Sequence, residues 1–320
     1  MAVYTEVSDT ALRDYLDQYD LGELLSCKGI AEGVENSNYL LHLSSGSYIL
    51  TLYEKRVARD DLPFFVGLME HLAKRDFTCP LPVHMKSGAV LGELAGRPAC
   101  IVSFLEGIGV KTPTAEHCRQ VGKAMAKLHL TAADFSLTRK NALNPDGWKP
   151  LVDANLARAD EVEDGMADLI ASELAHHQTS WPTDLHVGVI HADLFPDNVF
   201  FLGEKLSGVI DFYFGCNDMF AYDLAIGINA WCFDDAFRFR PEFSAAMIAG
   251  YQSVRPLEHV EVEAFVTLAR GAALRFLLTR LNDWLNVPPG ALVVPHDPKP
   301  FSARLRHHRA ANAPQEYGFA

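Results

Sequence analysis

The segment His191–Asn198, with the sequence HADLFPDN, places a histidine, a carboxylate and a carboxamide at fixed intervals. It lies between the apolar runs VGVI and VFFL, so a loop between two buried strands is predicted. A second carboxylate, Asp211, lies near the end of the later apolar run GVIDF. Phosphoryl transfer from a nucleotide needs a carboxylate that orients and deprotonates the attacking hydroxyl, and oxygen ligands for Mg²⁺. Asp193, Asn198 and Asp211 have side chains suited to these tasks.

Each part of this pattern also has an ordinary structural explanation. His191 and Asp193 could merely cap a turn, and Asp197–Asn198 is a common pair in loops. The spacing of the whole set favours catalysis. It resembles the catalytic loop H-R-D-x-x-x-x-N and the metal-binding aspartate of the protein-kinase-like fold. The branch of that fold that it resembles contains aminoglycoside phosphotransferases and choline kinases.

The resemblance implies a role for each residue of the pattern. Asp193 is expected to be the catalytic base, and Asn198 and Asp211 are expected to bind Mg²⁺. His191 belongs to the same catalytic set and is expected to brace the loop. Asp223, in the segment YDLAIGINAWCF, resembles the acidic residue that opens a helix and anchors the catalytic loop from below.

The first third of the chain has the pattern of a small antiparallel sheet. Three strand-like runs, LLSCKGI, NYLLHL and YILTLY, follow a short amphipathic helix predicted over residues 9–19. A second helix is predicted over residues 61–75, followed by strands around LPVHM and PACIVSFL. We place the end of this nucleotide-binding lobe, including its hinge, at residue 105.

Residues 106–320 form the predicted catalytic and substrate-binding lobe, which is mainly helical. One helix is predicted from an N-cap at Thr112 to about His129, and others over residues 154–177 and 258–285. Short strands are expected only at HVGVI, NVFFL and LSGVI, and the tail from about Pro288 is expected to be loosely ordered. The predicted class is therefore α+β, a protein-kinase-like, two-lobed fold with a small antiparallel-sheet lobe and a larger helical lobe.

The segment AEGVENSNYLL lies where the kinase-like fold has its phosphate loop, between the first two strands. Alone, it would be an ordinary hairpin turn, but its position before the other motifs favours ATP binding. Gly33 allows close approach of the backbone to phosphate. Its neighbours that offer hydrogen-bond donors are Asn36, Ser37 and Asn38. The candidates for the hinge that contacts adenine, in CIVSFLEG, are Val102, Ser103 and Leu105.

The strand YILTLYEKR departs from the kinase pattern. The lysine that pairs with the nucleotide phosphates should fall near Thr51, which carries no charge. Lys55 and Arg56 follow the strand, and either could curl back, although two solvated surface cations are the more ordinary interpretation. The helix that follows has no evident partner glutamate. Both members of the ion pair are therefore absent together, which avoids a buried unpaired charge.

Five segments together resemble bacterial homoserine kinases of the kinase-like type over about residues 1–310: GVENSNYLL, YILTLYEKR, HADLFPDNVFF, YDLAIGINAWCF and LRFLLTRLNDW. The resemblance implies ATP-dependent phosphorylation of L-homoserine for threonine biosynthesis, with ATP and a small hydroxylated amino acid as partners. Asp193 would receive the hydroxyl, and Asp218 would pair with the ammonium group. Arg275 and Arg280 are candidates to bind the carboxylate, and Trp231 to line the site.

Other interpretations of these segments stay open. The two arginines could instead brace the C-terminal helix. Aromatic residues near the site also suit a quaternary-ammonium cage, so choline, methylthioribose or an aminoglycoside is an alternative acceptor. The missing lysine at Thr51 would suit a pseudokinase that binds ATP without turnover. Against that alternative, Asp193, Asn198 and Asp211 are all present.

Composition excludes several classes of function. The chain has 320 residues, of which 49% are hydrophobic, enough to bury a core in each of two lobes. Its net charge of −13 and its lack of a dense basic run exclude a nucleic-acid partner. No run approaches the roughly 20 apolar residues of a membrane span, and the N-terminus lacks an apolar signal. We expect a cytoplasmic protein without a membrane partner, whose six cysteines are reduced.

Overall fold

The computed structural model describes residues 5–30, 36–54, 57–287 and 294–319. The chain divides into two compact units. Unit 1 comprises Met1–Glu106 and Gly208–Tyr213, and unit 2 comprises Gly107–Ser207 and Phe214–Ala320. The chain therefore returns to unit 1 for a short segment that includes Asp211.

Unit 1 contains a five-stranded antiparallel sheet. Its strands are β1 (Leu24–Gly29), β2 (Ser37–Leu43), β3 (Gly46–Leu52), β4 (Gly92–Leu94) and β5 (Arg97–Ser103). Across the sheet the order is β1-β2-β3-β5-β4. The first three strands confirm the prediction. In the hairpin of β2 and β3, Asn38 is directly opposite Thr51, and Gly46 at the turn has a φ of +145° that suits glycine.

Helix α1 (Asp9–Leu16) covers part of this sheet. Ser8 caps the helix by accepting a hydrogen bond from the backbone N–H of Ala11 at 3.3 Å. The apolar stripe of the helix, which includes Leu12, is buried in one core with the sheet residues Leu41 and Leu50. Burying a side chain such as Leu12 contributes about 2 kcal/mol, which is why a helix this short is stable in the fold.

Helix α2 (Leu62–Ala73) confirms the second predicted helix, with proline in its first turn. The predicted strand at LPVHM is wrong. Pro82 forms only an isolated bridge with Val102, and the edge strand is β4 instead. Proline lacks the backbone N–H that a continued ladder would require. A mostly apolar run of five residues therefore did not make a strand here.

Unit 2 is mainly helical, as predicted. Its helices are α3 (Ala115–Thr131), α4 (Pro145–Asn155), α5 (Met166–Ser180), α6 (Phe220–Trp231), α7 (Pro241–Gln252), α8 (His259–Glu263), α9 (Phe265–Leu285) and α10 (Lys299–Ala310). The short strands are β6 (Ile108–Gly109), β7 (Val187–Ile190), β8 (Val199–Leu202), β9 (Lys205–Val209) and β10 (Cys216–Met219), and the last two residues of β9 are counted with unit 1. Strand β7 pairs with β10, and β6, β8 and β9 form a second small sheet. Strands β7, β8 and β9 were predicted, whereas β6 and β10 were not.

Helices α3 and α7 pack with their backbones in close contact. A Cβ atom at Gly122 of α3 would overlap the carbonyl oxygen of Met247 in α7. A Cβ atom at Gly250 of α7 would overlap the carbonyl oxygen of Arg119 in α3. Only glycine fits both positions without moving one helix away from the other.

Three predicted boundaries in unit 2 are wrong. Helix α3 starts later than expected, because Thr114 is the N-cap and forms a capping box with His117. The helix predicted over residues 154–177 is interrupted between α4 and α5, where Gly165 has a φ of +77°. The tail is not loosely ordered throughout, because α10 forms and buries Phe301 and Leu305.

Candidate active site

The loop between β7 and β8 carries the predicted catalytic residues of unit 2. Its backbone turns at Ala192, which is buried and has a φ of +63°. This conformation costs a non-glycine residue roughly 1–2 kcal/mol, so neighbouring groups must hold it. The backbone N–H groups of His191 and Ala192 donate to the Asp223 carboxylate at 3.1 and 2.8 Å, and Arg275 donates to the Ala192 carbonyl. Two buried charged side chains thus fix the turn that precedes Asp193.

Asn198 lies beside Asp193 in this loop. Its Nδ2 donates to the Asp193 backbone carbonyl at 2.7 Å and to the carboxylate Oδ2 at 3.2 Å. The backbone N–H of Asp193 points to Nδ1 of the buried His191 at 3.3 Å. These contacts orient one carboxylate oxygen of Asp193. They also turn Oδ1 of Asn198 away from Asp193, because the amide nitrogen occupies that side.

A buried hydrogen-bonded chain connects Asp223 with helices α3 and α7. Nε2 of His129 lies 2.9 Å from the Asp223 carboxylate, and Nδ1 lies 2.8 Å from the Tyr251 hydroxyl. Nη1 of Arg255 reaches the same hydroxyl at 3.4 Å, and Nη2 pairs with Glu261 at 3.0 Å. A neutral His129 that donates through Nε2 and accepts through Nδ1 satisfies both of its neighbours.

Asp223 is ionised despite its burial. Burial by itself raises the pKa of this carboxyl, but hydrogen bonds from His129 and the Ala192 amide, with the electrostatic influence of the His129 and His191 rings, hold the pKa below its usual value. An anion beneath the loop accepts hydrogen bonds from its backbone more strongly than a neutral acid would. The structure confirms that Asp223 anchors the catalytic loop.

Two predicted acceptor-site residues are already engaged in unit 2. Asp218, on β10, accepts hydrogen bonds from Asn141 Nδ2 and from the Met219 backbone, each at 2.7 Å. Burial raises the pKa of Asp218, and the Asn141 bond opposes that shift. Trp231 is buried, and its indole N–H donates to the Leu194 carbonyl at 2.7 Å. The structure thus gives Trp231 a supporting place under the loop and no open face for a substrate.

The two candidate arginines lie in α9 but in different surroundings. Arg275 is only 1% exposed, and its guanidinium stacks over Phe276 at 4.5 Å in addition to bonding the Ala192 carbonyl. Arg280 is half-buried, and its Nη1 lies 3.4 Å from the Asp297 carbonyl. Arg275 therefore braces the loop, while Arg280 is the more accessible cation.

Arg280 also lies in the electrostatic field of the catalytic loop. Burial lowers the pKa of this guanidinium, and nearby carboxylates raise it again. Those carboxylates belong to Asp193, Asp197 and Asp297. The charges of Arg280 and Asp193 therefore act on one another.

The candidate phosphate-binding side chains of unit 1 are bonded to other residues of that unit. The hydroxyl of Ser37 is buried, accepts from the Thr5 backbone at 3.0 Å and donates to Glu54 at 2.8 Å. The side-chain oxygen of Asn36 accepts from the Glu54 backbone at 3.2 Å. Gly33 lies outside the described residues. The Ser37 hydroxyl is thus occupied by hydrogen bonds within unit 1. Other groups of this segment would therefore have to contact the phosphates.

At the position of the missing lysine, Thr51 donates its hydroxyl proton to Asn38 at 2.8 Å. Thr51 is buried on β3, opposite Asn38 on one neighbouring strand and Cys100 on the other. A neutral pair therefore replaces the cation at this point of the sheet. Lys55 and Arg56 lie outside the described residues.

The hinge candidates end the β5 strand of unit 1. The backbone N–H of Ser103 donates to the Leu81 carbonyl, and its hydroxyl accepts from the Leu81 backbone, both at 2.9 Å. Val102 pairs with Ile49 inside the sheet. Leu105 lies beyond the last residue of β5 and is half-buried.

Asp211 lies in the segment that returns to unit 1. Its φ of +64° is a left-handed conformation that aspartate tolerates better than most residues. Two residues later, the Tyr213 ring packs edge-on against Tyr53 and Phe65, with centroid distances of 5.3 and 5.8 Å. This aromatic packing fixes the backbone that follows Asp211. As at Ala192, a residue in a strained conformation stands beside well-packed neighbours.

Comparison with known proteins places the chain in a family. The family profile described as APH, the phosphotransferase enzyme family, matches residues 26–257. The chain belongs to this phosphotransferase family. A relative in Methylobacterium radiotolerans that bears the name homoserine kinase is 60% identical over 318 residues, which cover 99% of each chain.

Solved structures of kinases share the fold of this phosphotransferase. An amicoumacin kinase in complex with AMP-PNP and Ca²⁺ has a TM-score of 0.68 at 14% identity, covering 94% of this chain and 92% of that one. A choline kinase from Cryptosporidium parvum has a TM-score of 0.68 at 15% identity, covering 94% of each chain. At such identities the likeness concerns the fold, and it confirms the predicted α+β, kinase-like class. Within the described ranges, no helix has the length and apolarity to cross a membrane.

Proposed function

We propose that the chain transfers the γ-phosphoryl group of ATP to the side-chain hydroxyl of L-homoserine. The product is O-phospho-L-homoserine, the activated precursor of threonine. The main support is the identity of 60%, over 99% of both chains, with a relative named homoserine kinase. The loop geometry agrees with that assignment, because Asp193 is held by Asn198 and by the braced turn at Ala192.

We propose Asp193 as the general base of the reaction. Its carboxylate takes the proton of the homoserine hydroxyl as the hydroxyl oxygen bonds to the γ-phosphorus and the bond from that phosphorus to the bridging oxygen of ADP breaks. Asn198 keeps Oδ2 of Asp193 in one orientation through its 3.2 Å hydrogen bond. His191 supports the same backbone from within the core and makes no direct contribution to the chemistry.

Asn198 and Asp211 are proposed as Mg²⁺ ligands. Both offer hard oxygen donors, and the amide of Asn198 is oriented so that Oδ1 faces away from Asp193. When bound, Mg²⁺ neutralises charge on the transferred phosphoryl group. Replacing Asp211 by Asn is expected to weaken ATP binding in the presence of Mg²⁺ and to leave binding without Mg²⁺ nearly unchanged. An ATP titration by calorimetry with and without Mg²⁺ checks this, and equal Kd changes in both conditions would contradict it.

For the nucleotide, we propose contacts from the segment that contains Gly33, Asn36, Ser37 and Asn38, and from the hinge residues Val102, Ser103 and Leu105. Because the Ser37 hydroxyl and the Asn36 oxygen are bonded within unit 1, backbone groups are the better candidates there. A cytoplasmic location, where ATP is abundant, fits this role. For the acceptor, Asp218 is proposed to pair with the ammonium group.

The decisive test compares acceptors. Purified protein is assayed for ADP release from Mg·ATP with L-homoserine, choline, methylthioribose and an aminoglycoside, together with a reaction that lacks any acceptor. We expect acceptor-dependent ADP release with L-homoserine. Turnover of another alcohol but not of homoserine would contradict the proposed acceptor, and ATP binding without any turnover would indicate a pseudokinase.

A further inference from the structure

Two arginines on neighbouring helices stack on one phenylalanine ring in unit 2. The guanidinium of Arg280, in α9, lies 4.5 Å from the ring centroid of Phe301, and that of Arg304, in α10, lies 4.4 Å from it. Phe301 is fully buried, so the ring is a fixed support for both cations. Arg304 was not among the predicted site residues, because it lies in the tail that was expected to be loosely ordered.

This arginine pair is joined to the catalytic loop by aromatic contacts. The Phe301 ring lies 6.3 Å from that of Phe195, two residues after Asp193, and stacks on Phe276 at 5.1 Å. Phe195 in turn packs on Phe276 at 4.9 Å. The loop backbone and the two cations are therefore held by one cluster of rings, with little freedom to separate.

Carboxylates act on Arg280 only from beyond ion-pair distance, and they belong to Asp193, Asp197 and Asp297. Across residues 5–30, 36–54, 57–287 and 294–319, neither Arg280 nor Arg304 has an acidic oxygen within 4 Å, and Nε of Arg304 is buried without a hydrogen-bond partner. Burial and the charge of Arg280 lower the pKa of Arg304 to about 10, so it is still protonated at neutral pH. A partly buried guanidinium that has an N–H without a partner is stabilised by an anion that bonds to it.

We propose that Arg280 and Arg304 together bind the carboxylate of the amino-acid acceptor, an inference that rests on the proposed function. In extended homoserine the hydroxyl oxygen and the carboxylate carbon are about 5 Å apart, by standard bond lengths. A homoserine molecule that spans the two sites has this reach, and the contact of Phe301 with Phe195 ties the loop of Asp193 to the arginine pair. Arg275 is less suited, because it is nearly inaccessible and bonds the Ala192 carbonyl.

The test uses two acceptors that differ only in the carboxylate: L-homoserine and 3-aminopropan-1-ol. For Arg304→Met and Arg280→Met, we expect kcat/KM for homoserine to fall about tenfold to a hundredfold, the usual effect of losing a hydrogen bond to a charged group. The kcat/KM for aminopropanol and the KM for ATP are expected to stay unchanged. Arg304→Lys keeps the charge and is expected to recover part of the loss.

Arg306→Met is the matched control, because Arg306 lies on the same helix, is exposed and is paired with Glu163 at 2.9 Å. It is expected to behave as wild type. Calorimetric Kd values for L-homoserine give a second measurement that does not depend on turnover, and Arg280→Met covers the case in which Arg304→Met does not fold.

Equal losses with both acceptors would overturn the inference, and so would a raised KM for ATP, which would place the arginines at the phosphates. Failure of the proposed function would give a different experimental result. In that case the wild-type protein itself would show no turnover of homoserine. If wild type prefers homoserine over aminopropanol and Arg304→Met and Arg280→Met keep that preference, the inference is wrong although the proposed function stands.

Discussion

Two buried histidines of unit 2, His129 and His177, have opposite surroundings. Beneath the catalytic loop, both ring nitrogens of His129 have partners, at 2.8 and 2.9 Å. In the aromatic cluster of α4 and α5, His177 packs against Trp148 and Trp181, and neither ring nitrogen has a hydrogen-bond partner in the described part of the chain. The carboxylate of Glu173 is 3.7 Å away from Nε2.

The difference shows two uses of a buried polar side chain. His129 is part of a satisfied network that holds a strained turn, so its polarity has a positional role. His177 must keep at least one N–H without a partner, because Arg270 and Arg309 bind the Glu173 carboxylate at 2.7 and 3.2 Å. Its polarity is therefore a cost to stability. Substitutions in the first region should change activity, and those in the second should change stability alone.

The largest effect is expected at the loop itself. Asp193→Asn keeps the shape of the side chain but removes the base, so kcat should fall roughly a hundredfold to ten-thousandfold with little change in the Kd for ATP. Steady-state kinetics and ATP calorimetry measure both quantities. Asp197→Asn, an exposed carboxylate of the same loop, is the control and should have a much smaller effect. Similar mild effects of both variants would place the base elsewhere.

A smaller effect, on stability alone, is expected at His177. Burial, with the charges of His176 and Arg270, lowers the pKa of His177 to about 3, against 6.5 for the free side chain. As the pH falls below 6.5, the unfolded chain binds a proton that the folded protein excludes, so stability is lost towards pH 3 at about 1.4 kcal/mol per pH unit. His177→Phe removes this loss.

The His177→Phe variant should therefore gain roughly 2 kcal/mol over wild type at pH 5 relative to pH 8. Urea unfolding at the two pH values measures the gain, and kcat should not change. His259→Gln, at an exposed position, is the control for the loss of a histidine from the surface. An unchanged pH dependence in His177→Phe would mean that His177 takes up its proton in the folded state.

The smallest effect is expected at Tyr251. Tyr251→Phe leaves Nδ1 of His129 without its donor and shortens the network by one member, at a cost of about 1 kcal/mol in unfolding free energy. We expect kcat to fall by up to about fivefold through the loosened loop, with the KM for ATP unchanged. Tyr48→Phe, which removes a hydroxyl near the surface of unit 1, is the control. Loss of stability without any change of kcat would show that the hydrogen bonds from Tyr251 through His129 do not affect the geometry of the loop.

Local patterns predicted what depends on neighbours in sequence. Strands β2 and β3 follow from the alternation of a few adjacent residues, and Asp193 and Asn198 lie in one short motif. The sequence alone was therefore sufficient to predict these features. The contacts of His129 with Asp223 and Tyr251 join residues 94 and 122 positions apart, and no local pattern predicts such pairs. The only signal in the sequence was a histidine four residues after Met125, on the inward stripe of α3.

The tail shows a second limit of sequence reasoning. Arginines, histidines and prolines favoured loose order, yet α10 forms because Phe301 and Leu305 face the core while the guanidinium of Arg304 stacks on Phe301. Stacking lets an arginine stem cover apolar surface, so a charged helix can still be buried on one side. In the composition such an arginine is a polar residue, so composition alone does not predict that its side chain packs against the core.

The glycine contact between α3 and α7 constrains the loop from a distance. Gly122 lies two turns before His129 in α3, and Gly250 immediately precedes Tyr251 in α7. An added methyl group at either glycine would act as a wedge and would pull the histidine and the tyrosine apart. The turn at Ala192 would then lose part of its support, although neither glycine touches a substrate. Among homologous proteins, amino-acid variation at these two positions should therefore be as restricted as at the catalytic residues.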